Sequence, residues 1–271
     1  MPEMPDLEVV VEVLGRKLLG ATIGDVKVNK PIVVRNLTGQ PLPQRIVGHT
    51  VLGVTRRGKF VLFEVDSSDW LVINPMRSGR LRYLEEGETA RGKPHLALQF
   101  VGGSALQYKD SDRMGKVYIT PDLGLVPNFA SLGPEALSSE VTLDAFGESL
   151  RRRRGEIKGV LTNQTFIAGI GNAYANEILF EAGIYPFRKS PSLSQEEVER
   201  LYRAMHTVLQ GAVHTLRARV GEDIHIEIRD FLQVHGRAGE PCPRCGTQIS
   251  AVSARRRTAN FCRSCQPGRM T

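Results

Sequence analysis

Two hydrophobic rhythms divide the chain. After Pro5, the residues Leu7, Val10, Val11, Leu14 and Leu18 recur at intervals of three and four, which lines one helical face over residues 6–19. Gly20 follows as a helix terminator. From about residue 47 to residue 120 the pattern shortens to runs rich in Val, Leu, Ile, Tyr and Phe, broken by the turn pieces Arg57-Gly58, Ser67-Ser68 and Gly102-Gly103. That predicts several β-strands in a sandwich or barrel, with the only tryptophan, Trp70, in its core. Beyond Gly133-Pro134 the period lengthens again. Ser194 and Glu197 form a capping box, and Val198, Leu201, Met205, Leu209, Val213 and Leu216 mark one long amphipathic helix. The chain therefore reads as α+β and multi-domain: an N-terminal helix with a β-sandwich over 1–133, a helical domain over 134–235, and a cysteine-bearing tail over 236–271.

Composition narrows the class. With 41% hydrophobic and 24% charged residues, the chain is neither mainly disordered nor collagen-like. No stretch is long and apolar enough for a membrane span, and Glu3, Asp6 and Glu8 stand where a secretory signal would be basic, so a cytoplasmic protein without a membrane partner is expected. The 36 Lys and Arg exceed the 29 Asp and Glu, giving +7, and the pI is near 9.4, which suits a polyanion. The excess is concentrated: residues 236–271 hold seven arginines against one acid, Glu240.

All four cysteines lie in that tail, as Cys242-Pro243-Arg244-Cys245 and Cys262-Arg263-Ser264-Cys265 with sixteen residues between the pairs. Each C-x-x-C can wrap two thiolates around one tetrahedral ion, and Gly246 permits the tight turn that aims N–H groups at sulfur. Four thiolates would leave Zn2+ no open position, so the ion would be structural. Paired disulfides are the alternative, disfavoured in a cytoplasmic chain. Between the pairs, a hairpin over 247–261 would carry Arg255, Arg256 and Arg257 toward phosphates, although ribbons of this kind also serve proteins or stability alone.

Three further segments carry chemistry. The start, Met1-Pro2-Glu3-Met4-Pro5-Asp6, would expose a secondary amine on Pro2 once the initiator Met is removed, with the Glu3 carboxyl beside it. Such an amine keeps a useful neutral fraction near neutral pH and can attack an anomeric carbon to form an iminium. Gly169-Ile170-Gly171-Asn172 precedes a helix that buries Ile178, Leu179 and Ala182, and its first N–H groups with the Asn172 amide suit a phosphate. Lys59 stands at a hairpin tip between 51–54 and 60–63. The six histidines show no ligand spacing, and Arg151 to Arg154 read as a solvated face.

Together these residues resemble the formamidopyrimidine-DNA glycosylase and endonuclease VIII family of base-excision-repair enzymes. The resemblance runs in order along nearly the whole chain, through Pro2-Glu3, Lys59, Leu132-Gly133-Pro134-Glu135, the Gly-Ile-Gly-Asn helix start and Gly239-Glu240-Pro241-Cys242. It implies a helix-two-turns-helix motif in the helical domain, a zinc finger on Cys242, Cys245, Cys262 and Cys265 holding one structural ion, and a monomer acting on double-stranded damaged DNA, nucleoid-associated when bound. It further implies a bifunctional glycosylase and AP lyase with Pro2, Glu3 and Lys59 as catalytic residues: Pro2 the nucleophile, Glu3 the proton shuttle, and Lys59 contacting the phosphate beside the lesion or donating a proton. Lys158, Asn172 and Arg257 would hold the backbone, as would His95 unless it serves only the surface or packing, while Met76 or Arg77, with Arg113 and Met114, would plug the vacated duplex.

Three departures from the family pattern stand out. Asp6 replaces a Glu, Met76 is displaced by one place, and Asp112 stands where an Arg is common. The segment 221–230 is shorter than the lid that typical members close over 8-oxoguanine, which implies a preference for ring-opened purines and oxidised pyrimidines. Its Ile224, Ile226 and Ile228 alternation predicts a short strand or an edge packed on the core. A catalytically silent damaged-DNA-binding protein on the same scaffold is the alternative reading.

Overall fold

The computed structural model describes residues 1–254 and 257–268, with Ala254 and Arg257 described by their backbone alone. The chain forms two compact units, Met1–Ser131 with Thr215–Ile228, and Leu132–His214 with Arg229–Thr271. Residues 215–228, at the end of the expected helical domain over 134–235, group with the first unit. The four-cysteine segment, set apart at 236, shares one unit with the helices before it.

In the first unit, α1 spans Met4–Leu18. Leu7, Leu14 and Leu18 are buried on the predicted face, but Val9 and Val13 are buried too, because the helix is enclosed on more than one side. It lies against β3 (Val51–Arg57) and β4 (Phe60–Val65). These belong to a five-stranded sheet, completed by β5 (Trp70–Asn74), β9 (Lys116–Thr120) and β2 (Val34–Asn36), in the order β2-β9-β5-β4-β3. A second sheet, ordered β1-β7-β8-β6, contains Ile23–Val28, Leu96–Phe100, Ala105–Lys109 and Arg80–Leu84. Together they make the β-sandwich.

β4 is buried at every position but Glu64, which explains why its sequence is a continuous apolar run rather than an alternation. β1, β2 and the short helix α2 (Leu42–Ile46) fall before residue 47 and were not anticipated. β1 buries only every third residue, so it carries no period-two signal. Trp70, expected in the core, is half-buried at the first position of β5, across from Glu64 and Thr120.

In the second unit, α3 (Leu143–Arg151) is capped by the Thr142 hydroxyl accepting from the Ala145 N–H at 3.2 Å. After α4 (Ile157–Leu161), helix α5 (Asn172–Ala182) ends at Gly183 in the left-handed conformation, φ 67°. The capping box of α6 (Gln195–Val220) is present: the Ser194 N–H donates to Glu197 at 2.8 Å, and the Glu197 N–H to the Ser194 hydroxyl at 3.3 Å. The cysteine tail forms the hairpin β10 (Ile249–Ala254) and β11 (Arg257–Cys262), which packs on α5.

The segment 221–228 is not a strand. Tight turns, in which the Ile224 N–H donates to the Glu222 carbonyl and the Ile226 N–H to the Asp223 carbonyl, both at 2.8 Å, coil it too closely to form a ladder. Ile224 is buried at 5% exposure while Ile226 stays 51% exposed. Among the described residues, no helix is long and apolar enough to cross a membrane.

Candidate active site and nucleic-acid interface

Pro2 and Glu3 are buried at the entrance to α1, and Glu3 is its N-cap. The Glu3 N–H donates to the Asp6 carboxylate at 2.8 Å, three residues into the helix. That explains the shorter acid: an aspartate reaches the cap amide directly. Pro2 and Asp6 line an open hollow whose walls are mostly aliphatic, with Leu7 and Val10 from α1, Leu81 from β6, and Ile224 and Ile226 from the segment after α6. Two charged side chains complete it, Arg80 and Glu227. They form an ion pair with each other, and Glu227 also accepts from the α-ammonium of Met1 at 3.0 Å. Neither was singled out from the sequence, because an Arg beginning a strand and a Glu in a turn segment look like ordinary solvated residues there.

Lys59 occupies the second position of a two-residue turn, since Arg57 pairs with Phe60 across β3 and β4 and Gly58 takes φ 56°. Arg56 braces that turn, donating to the Gly58 carbonyl at 3.0 Å and to Glu8 of α1 at 2.8 Å. The hairpin lysine is thereby tied to the helix that begins at Glu3.

The proposed plug residues lie on two loops that the structure fuses into one. Ser78 donates to the buried carboxylate of Asp110, and the Asp112 N–H donates back to the Ser78 hydroxyl at 2.8 Å. Asp110 also accepts the Gly115 N–H at 2.7 Å and stands 3.5 Å from the Tyr108 hydroxyl, whose pKa rises through burial and the nearby carboxylate. Met76 and Arg113 both adopt left-handed backbone, φ 50° and 55°, and Met76 and Met114 are exposed at 38% and 45%. Two glycines make the fusion possible: a Cβ on Gly115 would lie 1.9 Å from the Tyr108 oxygen, and one on Gly79 would lie 2.4 Å from the Pro75 carbonyl. Asp112 pairs with the exposed Arg77 at 3.3 Å, so its charge is compensated within the loops. His95 Nδ1 accepts the Asp110 N–H at 3.2 Å, which places the proton of a neutral ring on Nε2, and burial lowers its pKa.

In the second unit, Asn172 is the first residue of α5, after Gly169 at φ 92°. Gln164 brackets the turn before it, accepting from the Gly169 N–H at 3.0 Å and donating to the Ile170 carbonyl at 2.7 Å. The Asn172 Oδ1 has no hydrogen-bond partner among the described residues. Lys158, on α4, is buried at 6% exposure and donates to the Thr258 carbonyl of β11 at 2.6 Å, which ties it to the hairpin. Arg255 and Arg256 lie outside the described residues, as does the side chain of Arg257. A buried carboxylate missed from the sequence, Glu177, accepts three N–H groups, from Gln233, Val234 and His235, at 2.7, 3.0 and 2.8 Å, and so anchors the chain leading into the hairpin.

The four thiols converge. Their sulfurs all lie within 4.8 Å of one another, with Cys245–Cys262 at 3.4 Å and Cys242–Cys265 at 3.8 Å. Disulfide sulfurs would be about 2.05 Å apart. A tetrahedral zinc with bonds of about 2.3 Å separates its sulfurs by about 3.8 Å, which these distances fit. The Arg244 N–H points at the Cys242 sulfur, 3.4 Å away. Hydrogen bonds from Thr247 pull Cys245 down to about 6, while burial and neighbouring thiols push Cys265 up to about 12. Four such groups ionise together only around a cation, and the site is suited to one structural zinc ion.

Comparison with known proteins agrees with this geometry. Residues 1–117 match the formamidopyrimidine-DNA glycosylase N-terminal domain, residues 132–221 the H2TH domain of that enzyme, and residues 239–268 a zinc finger found in FPG and IleRS. The formamidopyrimidine-DNA glycosylases of Pelotomaculum thermopropionicum and Geobacillus kaustophilus are each 34% identical over 98% of this chain and at least 99% of their own. Among solved structures, the Lactococcus lactis Fpg in complex with abasic-site DNA superposes with TM-score 0.88 at 29% identity, covering 98% of this chain and all of that one. The MutM (Fpg) protein of Thermus thermophilus gives 0.84 at 32%, covering 98% of both chains. With three consecutive family domains and relatives aligned end to end, the chain belongs to the formamidopyrimidine-DNA glycosylase family of base-excision-repair enzymes.

Proposed function

We propose that the protein is a bifunctional DNA glycosylase and AP lyase that works through an imine on Pro2. After loss of Met1, the neutral Pro2 amine attacks C1′ of a damaged nucleotide swung out of the duplex. The C1′–N bond to the base breaks as the C1′–N bond to Pro2 forms, and the base leaves carrying a proton. Glu3 delivers the proton that opens the deoxyribose ring and then accepts the C2′ proton. Loss of that proton expels the 3′ phosphate, a second elimination expels the 5′ phosphate, and hydrolysis returns the free amine.

The observation that carries this reading is the burial of Pro2 and Glu3 together at a helix start, with Pro2 in the wall of an open, mostly aliphatic hollow. Binding alone needs neither group. Lys59, His95, Lys158, Asn172 and Arg257 hold the kinked backbone, and Met76, Arg77, Arg113 and Met114 fill the gap that eversion leaves. Their contacts offset the few kcal/mol that eversion costs. The protein acts as a monomer in the cytoplasm, on the nucleoid when bound to DNA.

Borohydride reduction during incubation with abasic-site duplex decides between this and the catalytically silent alternative. A covalent adduct that mass spectrometry maps to Pro2, and that forms much more slowly in Pro2→Gly, whose primary amine can still condense, or when Met1 is retained, is expected. Tight binding without an adduct would refute the enzyme and leave the damage-binding protein.

A further inference from the structure

We infer that Arg80 and Glu227 are positioning residues that set the basicity of the N-terminal amine, acting as an ion pair that lines the same hollow as Pro2. The inference rests on Pro2 being the nucleophile.

Glu227 accepts from the chain's α-ammonium at 3.0 Å while Met1 is present, so its carboxylate is already directed at whatever amine begins the chain. Removal of Met1 brings the amine one residue inward, onto Pro2, which lines the same hollow as Glu227. An unscreened carboxylate there would favour the ammonium and withhold the lone pair that attack requires. Arg80 cancels that field because it binds the other oxygen of the same carboxylate. Arg80 and Glu227 are both largely screened from water, at 22% and 30% side-chain exposure, so their fields are felt locally. Asp6, which lines the same hollow with its carboxylate held on the Glu3 amide, and Glu3, next to Pro2 in the chain, are further titratable groups here. Both are common to every variant proposed below, so their fields cancel from the comparison.

The segment carrying Glu227 is held for this task. Glu222, five residues earlier, pairs with Lys17 of α1 at 2.9 Å, and Arg217, at the end of α6, pairs with Glu12 of α1. Buried Ile224 fastens the stretch between Glu222 and Glu227. A carboxylate anchored in this way keeps its distance from the amine, which a freely moving one would not.

The signs of the two single deletions are opposite. Arg80→Ala removes a positive charge from the wall of the hollow, raises the amine pKa and moves the rising limb of the pH–rate profile to higher pH. Glu227→Gln leaves Arg80 uncompensated and moves the limb to lower pH. Each shift should be up to about one pH unit, the size expected of a single partly screened charge lining the same hollow. Arg80→Lys should restore the parental limb, and the double variant Arg80→Ala/Glu227→Gln should fall near it.

The measurement is the single-turnover rate of borohydride-trapped adduct formation on abasic-site duplex from pH 5 to pH 10, with the full chain verified by mass to lack Met1. Opposite shifts with recovery in the double variant support the inference. Limbs that stay within about 0.2 units of the parent, or that move the same way in both single variants, overturn it. A parent that forms no Pro2 adduct at any pH overturns the nucleophile assignment instead, so the two failures are distinct.

Discussion

Replacing Asp110 by alanine should unfasten the two loops that carry Met76 and Arg113. The carboxylate is 1% exposed and receives the Gly115 N–H at 2.7 Å, the Ser78 hydroxyl, and at 3.5 Å the Tyr108 hydroxyl. Deletion leaves the buried Gly115 N–H without its acceptor, at a cost of about 1–3 kcal/mol. The Ser78 hydroxyl loses a charged acceptor but keeps the Asp112 N–H as donor, adding about 1 kcal/mol. The Tyr108 contact is long and adds little. The total is about 2–4 kcal/mol. Asp110→Asn should cost about half as much, because it retains one oxygen for Gly115 while the Ser78 hydroxyl can turn to accept from the new amide. Trp70, the chain's only tryptophan, sits on β5 in the same unit, so urea unfolding followed by its fluorescence reports on this unit directly. An alanine variant within about 0.5 kcal/mol of the parent, or an asparagine variant as unstable as the alanine one, would refute the assignment of Asp110 as the shared acceptor.

Two further outcomes follow from the geometry. Chelation of zinc should make all four thiols titratable by a disulfide reagent and abolish binding to abasic duplex, while the urea midpoint read at Trp70 stays within about 0.3 M, because the cysteines belong to the other unit; a shifted midpoint with retained binding would contradict this. Burial lowers the pKa of His95 below its ordinary 6.5, so its contribution to stability is present above that pH and is lost as pH falls through the lower folded value, when protonation of Nδ1 displaces the Asp110 N–H. Stability at Trp70 should therefore decline as pH falls below 6.5, and His95→Gln should flatten that slope; an unchanged slope would show that other groups cause it.

Much of this protein was legible in one dimension because its strongest signals are local. The period of α1 and α6, the Ser194–Glu197 cap, the Gly58-Lys59 turn and the two C-x-x-C pairs each depend on neighbours a few residues away. The resemblance to a repair family likewise rested on short motifs in a fixed order. What escaped were elements too brief or too enclosed to show a rhythm, such as β1 and β2, and residues whose meaning lies in distant partners.

Arg80 and Glu227 are 147 positions apart, and Tyr108, Asp110, Ser78 and Gly115 meet from two separate loops. Chain order alone specified which chemical groups were available, the N-terminal imino acid with its carboxylate and the thiol set. Packing determined which charges face that amine, because a Coulomb field depends on distance through space and a linear pattern carries no record of it.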